Sequence, residues 1–195
     1  MNAVLKTHSP ESPTGLDVAG GPEDKFPNTM FEEVMRPAIE AGVPITVHAG
    51  EQAKGPDFKE APPSFIRDAI ERLGARRIGH GLSLMAGDEA LWDLIREKNI
   101  CIECCPPSNA ILGYVPMGKH PLKYFLDTGV KATLNTDDPL MFDVDSVRSI
   151  FVKHGRDLGL TPEDVIKMAS NGIDAAFVSE FKRELLREKL KRRLR

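Results

Sequence analysis

The sequence predicts an α/β fold in which strands and helices alternate around a parallel sheet. Short apolar runs bounded by Gly, Pro or Asp recur five times, and stretches with the period of a helix face separate them. In addition, three of the apolar runs end in histidines or carboxylates: Pro44-Ile45-Thr46-Val47-His48-Ala49-Gly50-Glu51, Arg77-Ile78-Gly79-His80-Gly81 and Leu134-Asn135-Thr136-Asp137-Asp138-Pro139. Parallel α/β architectures gather their reactive groups where strands end.

Taken in order, Met1–Pro13 lacks apolar periodicity and reads as a flexible arm, followed by one domain over residues 14–195. Strands are expected at Gly15–Ala19, Pro44–His48, Arg77–His80, Ile100–Cys104 and Lys131–Asn135. Phe31, Val34, Met35, Ala38 and Ile39 share one face of a helix, which Pro37 should kink or delay. Leu91, Leu94 and Ile95 mark a helix ending near Lys98-Asn99. Another spans about His120–Asp127, closed by Gly129. Val144, Val147, Phe151 and Leu158 make a further stripe. Thr161-Pro162-Glu163-Asp164 is an N-cap with proline at the first helical position. A last amphipathic helix starts near Ser179 and uses Phe181, Leu185 and Leu186. There is no internal repeat.

Composition narrows the function classes. The chain has 195 residues, 41% hydrophobic and 28% charged, with a net charge of -3. That balance gives no argument for nucleic-acid or anionic-membrane partners. The basic end from Lys189 to Arg195 reads as a solvated helix terminus that the helix dipole favours. No apolar stretch approaches the roughly 20 residues of a membrane span, and the N-terminus lacks the apolar core of a signal peptide. Three cysteines, an odd number, fit a reducing, cytoplasmic compartment. Cys101 and Cys104 stand three apart on a strand and so face opposite sides, which favours core packing over metal or redox chemistry.

His48-Ala49-Gly50-Glu51, Arg77-Ile78-Gly79-His80-Gly81, Cys105-Pro106-Pro107-Ser108-Asn109 and Leu134-Asn135-Thr136-Asp137-Asp138-Pro139, in this order, resemble the signatures of adenosine deaminases. Asp17-Val18-Ala19-Gly20 resembles the preceding strand end. That family comprises zinc hydrolases on a (β/α)8 barrel. The resemblance implies one Zn2+ per complete site and hydrolysis of adenosine and deoxyadenosine to inosines and ammonia in purine salvage. It further implies that His48 and Asp137 are zinc ligands, and that Glu51 is the acid/base that protonates purine N1. His80 would orient the nucleophile at C6 and stabilise the tetrahedral centre. Gly20, or its neighbour Gly21, would approach purine N3 through its backbone, and Asp138 would bond N7. Asp17 is expected to make only a structural hydrogen bond. His8, His120 and His154 carry no mark of a ligand.

The chain departs from the family pattern in having no His-x-His pair, which supplies two further zinc ligands there. The likeness begins at what would be the fourth strand, so the expected fold is a partial (β/α)8 barrel of about five β/α units plus C-terminal helices. Such a sheet leaves two edges for self-association. Two alternatives stay open: a catalytically silent form that serves as an assembly or binding partner, and a deaminase of adenine or another amino-purine nucleoside.

Overall fold

Each of the five apolar runs becomes a strand. The computed structural model describes residues 2–9, 15–20, 23, 25–52 and 61–195. Its strands are β1 (Leu16–Val18), β2 (Ile45–Ala49), β3 (Arg77–His80), β4 (Cys101–Cys104) and β5 (Lys131–Leu134). They lie side by side in chain order, and every neighbouring pair is parallel. A strand order that never reverses is that of a (β/α) barrel; doubly wound sheets switch direction midway. Here the described strands form an open sheet with β1 and β5 at its edges, as a partial barrel requires.

Parallel strands need crossovers, and helices supply them. After α1 (Asn2–Thr7), α2 (Glu32–Glu40) joins β1 to β2, and α3 (Ser64–Glu71) joins β2 to β3. Next, α4 (Glu89–Glu97) leads to β4, and α5 (Pro106–Ile111) and α6 (Leu122–Asp127) lead to β5. The chain then continues through α7 (Val147–His154), α8 (Pro162–Ala175) and α9 (Glu180–Arg193). The expected N-cap at Thr161 is present as a reciprocal pair with Asp164.

Several expectations need correction. Asn2–Thr7 is helical where the sequence shows no helical period; Met1 and residues 10–14 lie outside the described residues. The helices α3 and α5 are additional; α3 buries Ile66, Ala69 and Ile70. Pro37 lies inside α2, which begins only at Glu32 after a 3-10 turn over Asn28–Phe31, and of its stripe only Met35 and Ala38 are buried. The stripe from Val144 to Leu158 is split, because only Val147–His154 is helical. In α9 no residue is buried and Phe181 is 82% exposed, so apolar packing does not hold it. Polar bonds do: Arg187 Nη2 meets Asp174 Oδ1 at 2.9 Å, and Arg183 Nη1 donates to the Ile173 carbonyl at 2.8 Å.

The two faces of the sheet differ in kind. Ile45, Val47, Ala49, Ile78, Ile102, Cys104, Ala132 and Leu134 point to the helix side and are almost fully buried. Together with Ile66, Leu73, Leu91, Ile95, Leu122 and Phe125 they form the main core. Strand alternation sends Thr46, His48, Arg77, Gly79, Glu103 and Thr133 to the opposite face, which a barrel turns inward. This face is polar and bonded to itself: Thr46 Oγ1 donates to Glu103 Oε2 at 2.7 Å, and Arg77 Nε lies 3.1 Å from Glu103 Oε1.

Candidate active site

The inward face ends in a cluster of titratable side chains. His48, the fourth residue of β2, pairs in register with Gly79 of β3. A Cβ at position 79 would lie 3.2 Å from the imidazole, so the absence of a side chain there lets the ring rest over β3. His48 Nδ1 is 3.3 Å from Asp17 Oδ1 on β1, the structural contact expected of Asp17. That carboxylate raises the imidazole pKa above its usual value, against the opposing effect of burial.

Two residues on, the chain turns at Gly50, whose φ is +72°. A Cβ there would meet Ser83 Oγ at 2.2 Å, so glycine is required for both conformation and space. Glu23 fixes this turn by accepting the Gly50 N–H at 2.8 Å and the Glu51 N–H at 2.9 Å, one on each carboxylate oxygen. Glu23 is buried. Nothing in the sequence marks it, because its partners are backbone groups of a turn nearly thirty residues downstream.

His80 and Asp137 are both in the left-handed region, with φ of 62° and 58°. Strand alternation alone would send the His80 side chain to the helix face with Ile78. The left-handed backbone re-aims it, so the rings of His80 and His48 stand 5.0 Å apart. His80 Nε2 is 3.5 Å from Glu51 Oε1 and 3.8 Å from Asp137 Oδ2. Three separate strand ends thus meet at one ring nitrogen. Cys105 also belongs here: the ligand atoms of His80, Cys105 and Asp137 all lie within 4.8 Å of one another. The strand period does not mark Cys105 for this cluster, since it lies just beyond β4, where that period has stopped.

Behind His80, Asn109 Nδ2 donates to His80 Nδ1 at 3.0 Å, and Asn109 Oδ1 is 3.2 Å from His120 Nε2. His120 Nδ1 accepts the Leu122 N–H at 3.1 Å. All three side chains are buried. His120 therefore has a polar role that its position ahead of α6 did not announce, although the spacing from Asn109 on α5 brings both to the same loop cluster.

Burial sets the protonation of the cluster. It raises the Glu51 pKa to about 7, with His48 opposing and Asp137 adding to the shift. It lowers the His80 pKa, with His48 working in the same direction, and lowers that of His120 to about 3. Near neutrality both of these imidazoles are uncharged, and Glu51 is poised to exchange a proton. The cysteines are free and buried, and burial raises the Cys101 thiol to about 12 and the other two as well, away from reactive thiolates.

The donor set suits zinc in kind. With Nδ1 turned to Asp17, His48 keeps Nε2 for a metal, and Asp137 offers a carboxylate. Catalytic zinc takes three protein ligands, and these two expected ligands fall one short. His8 does not make up the number: it lines a cavity with Pro44, Arg76 and Lys98, which precede β2, β3 and β4, at the opposite ends of the strands. His154 is a boundary residue facing Asp157 at 3.8 Å. Gly20 and His48 line one cleft of about 170 Å³ with Glu23 and Phe31, and Asp138 is exposed beside Asp137. Gly21 lies outside the described residues.

Comparison with known proteins extends this geometry. The family model described as adenosine deaminase matches residues 1–193. An adenosine deaminase of Salmonella typhimurium (strain LT2) is 41% identical over 181 residues, 92% of this chain and 51% of that protein. This chain thus spans about half the length of the relatives it matches. Among solved structures, the adenine deaminase from Arthrobacter aurescens superposes with a TM-score of 0.81 at 28% identity, covering 99% of this chain and 55% of that one. An amidohydrolase from Burkholderia ambifaria, solved with bound zinc, gives 0.79 at 24% identity, covering 93% and 48%. That last likeness concerns the fold.

Proposed function

The chain belongs to the adenosine deaminase family, a family of hydrolases, and on that premise we propose that its strand-end cluster is part of a zinc-dependent aminopurine deaminase site. The reaction is adenosine or deoxyadenosine plus water giving the corresponding inosine plus ammonia, a step of purine salvage. The observation that carries this reading is the convergence of Glu51 and Asp137 on His80 Nε2, at 3.5 and 3.8 Å, from three strand ends.

Each residue has a task that its surroundings support. Glu51, with a pKa near 7, is protonated often enough to give a proton to a purine ring nitrogen and can take one back. Neutral, buried His80 faces the position where an oxygen would add to the ring, and a hydrogen bond there stabilises developing negative charge. Gly20 lets the backbone approach the substrate edge beside His48, and exposed Asp138 reaches a ring nitrogen from the rim. Zinc held by His48 and Asp137, together with a ligand from outside the described set, would make water acidic enough to attack near neutral pH.

The decisive experiment incubates the purified 195-residue chain with zinc and adenosine, measuring inosine and bound metal together. Inosine formation with one tight zinc per chain supports the reading. No inosine and less than one zinc per chain sinks it for this chain alone and leaves the silent assembly partner. A second substrate reading, adenine or another amino-purine nucleoside, is favoured by the adenine deaminase neighbour. Faster turnover of adenine than of adenosine would establish it.

A further inference from the structure

The polar atoms behind His80 fix its tautomer. A backbone N–H can only donate, so His120 Nδ1, which receives the Leu122 N–H at 3.1 Å, is a lone pair. Neutral His120 therefore carries its proton on Nε2, 3.2 Å from Asn109. A donor there requires the amide oxygen of Asn109, which turns the Asn109 NH2 towards His80 Nδ1 at 3.0 Å. His80 Nδ1 must then be a lone pair as well, and its proton sits on Nε2. The chain of constraints starts at a group with no alternative, and it resolves both the amide orientation and two tautomers.

We infer that His120 is a positioning residue that, acting through Asn109, holds His80 as the Nε2–H tautomer and so presents a hydrogen-bond donor to the Glu51–Asp137 end of the cluster. Burial strengthens the case, because no solvent reaches the relay to offer other partners: His80 is 1% exposed, Asn109 0% and His120 6%. Each Nδ1 receives a donor and so is a lone pair, which leaves each ring a single proton, on Nε2.

A chemical choice follows. His80, Cys105 and Asp137 have the spacing of a metal triad, but an Nε2 that bears a proton has no lone pair for an ion. The relay thus assigns His80 to donation and removes it from the ligand set. The tautomer stands without the deaminase reading; only the use of the donor, to hold an oxygen adding to a purine carbon, rests on that reading.

The test is made on the whole chain without metal or substrate. Histidine is labelled with 15N, and long-range 1H–15N correlations assign the ring nitrogens of its five histidines at neutral pH. His80 and His120 are expected to show a protonated, pyrrole-type Nε2 and an unprotonated, pyridine-type Nδ1. A protonated Nδ1 on either ring overturns the inference. The near-isosteric Asn109→Asp presents only acceptors, so it should move the His80 proton to Nδ1 or add a second one there, while His120 keeps its pattern. In His120→Gln, whose side-chain amide can still donate to Asn109, the His80 pattern should survive; in His120→Ala its two nitrogen shifts should move towards each other. An unchanged His80 pattern in folded Asn109→Asp and His120→Ala removes the positioning role. A purely structural role would lower stability and leave these shifts alone. Failure of the turnover experiment would not touch this result.

Discussion

The two histidines of the cluster are held in opposite ways. His80 sits at the end of an inner strand, 1% exposed, against two side chains that are themselves buried and bonded. His48 is 26% exposed, and its Nδ1 partner, at 3.3 Å on the edge strand β1, is 49% exposed. The first corner is finished by this chain alone. The second is held loosely, and the ligand count falls short on that same side. The contrast teaches that two imidazoles on adjacent inner strands can differ in rigidity because one is backed by buried partners and the other by an exposed carboxylate on the edge strand.

The contrast can be broken by mutation, beginning on the inner side. Gly50→Ala forces a Cβ into the left-handed region and against Ser83, and should cost about 4 kcal/mol in urea unfolding. Next is Asn109→Ala, which strands two buried ring nitrogens; a loss of about 3 kcal/mol is expected. If either variant unfolds like the parent, the inner corner is less rigid than its geometry implies.

Glu51 stands between the corners and titrates. Its folded pKa of about 7 exceeds the reference 4.5, so the folded state holds more protons in that window. Stability of the metal-free chain should therefore fall as pH rises from 4.5 through 7. Glu51→Gln removes this fall: equal stability to the parent at low pH, and an advantage of up to about 2–3 kcal/mol above pH 7. A constant difference across that range would show that Glu51 ionises freely. The smallest effect belongs to the edge. Asp17→Ala should change stability by no more than about 0.5 kcal/mol, as for other exposed pairs. Its signature is in metal binding instead, where zinc affinity should drop roughly tenfold because the His48 ring is no longer oriented. Asp137→Ala should abolish tight zinc, whereas Glu51→Gln should retain it. A large stability loss in Asp17→Ala would erase the distinction between the two histidines.

Most of the architecture was legible in the sequence. Short apolar runs between Gly, Pro and Asp locate all five strands to within a residue or so, since burial on the helix side leaves little freedom in what fills them. The helix α3 escaped because its stripe of Ile66, Ala69 and Ile70 spans barely more than a turn. The amphipathic reading of α9 failed for another reason. Phe181 and Leu185 lie on one face, but Phe181 is left largely open and neither is buried. Within the cluster, His48, Glu51, His80 and Asp137 stand out as reactive types at strand ends. Glu23, Asn109 and His120 do not, because their partners are backbone groups or residues from distant segments. A polar residue whose role is to hold another one has no local pattern.

The left-handed backbone at His80 and Asp137 has an evolutionary consequence. Of the described residues without glycine's freedom, four adopt positive φ, and two of them are at the heart of the cluster. At both positions a glycine would relieve the backbone by about 1 kcal/mol. A lineage in which the cluster had no task would therefore have an easy path that relaxes the backbone while taking the cluster apart. Backbone ease alone favours glycine where this chain carries a histidine and an aspartate, so the fold by itself does not account for either side chain.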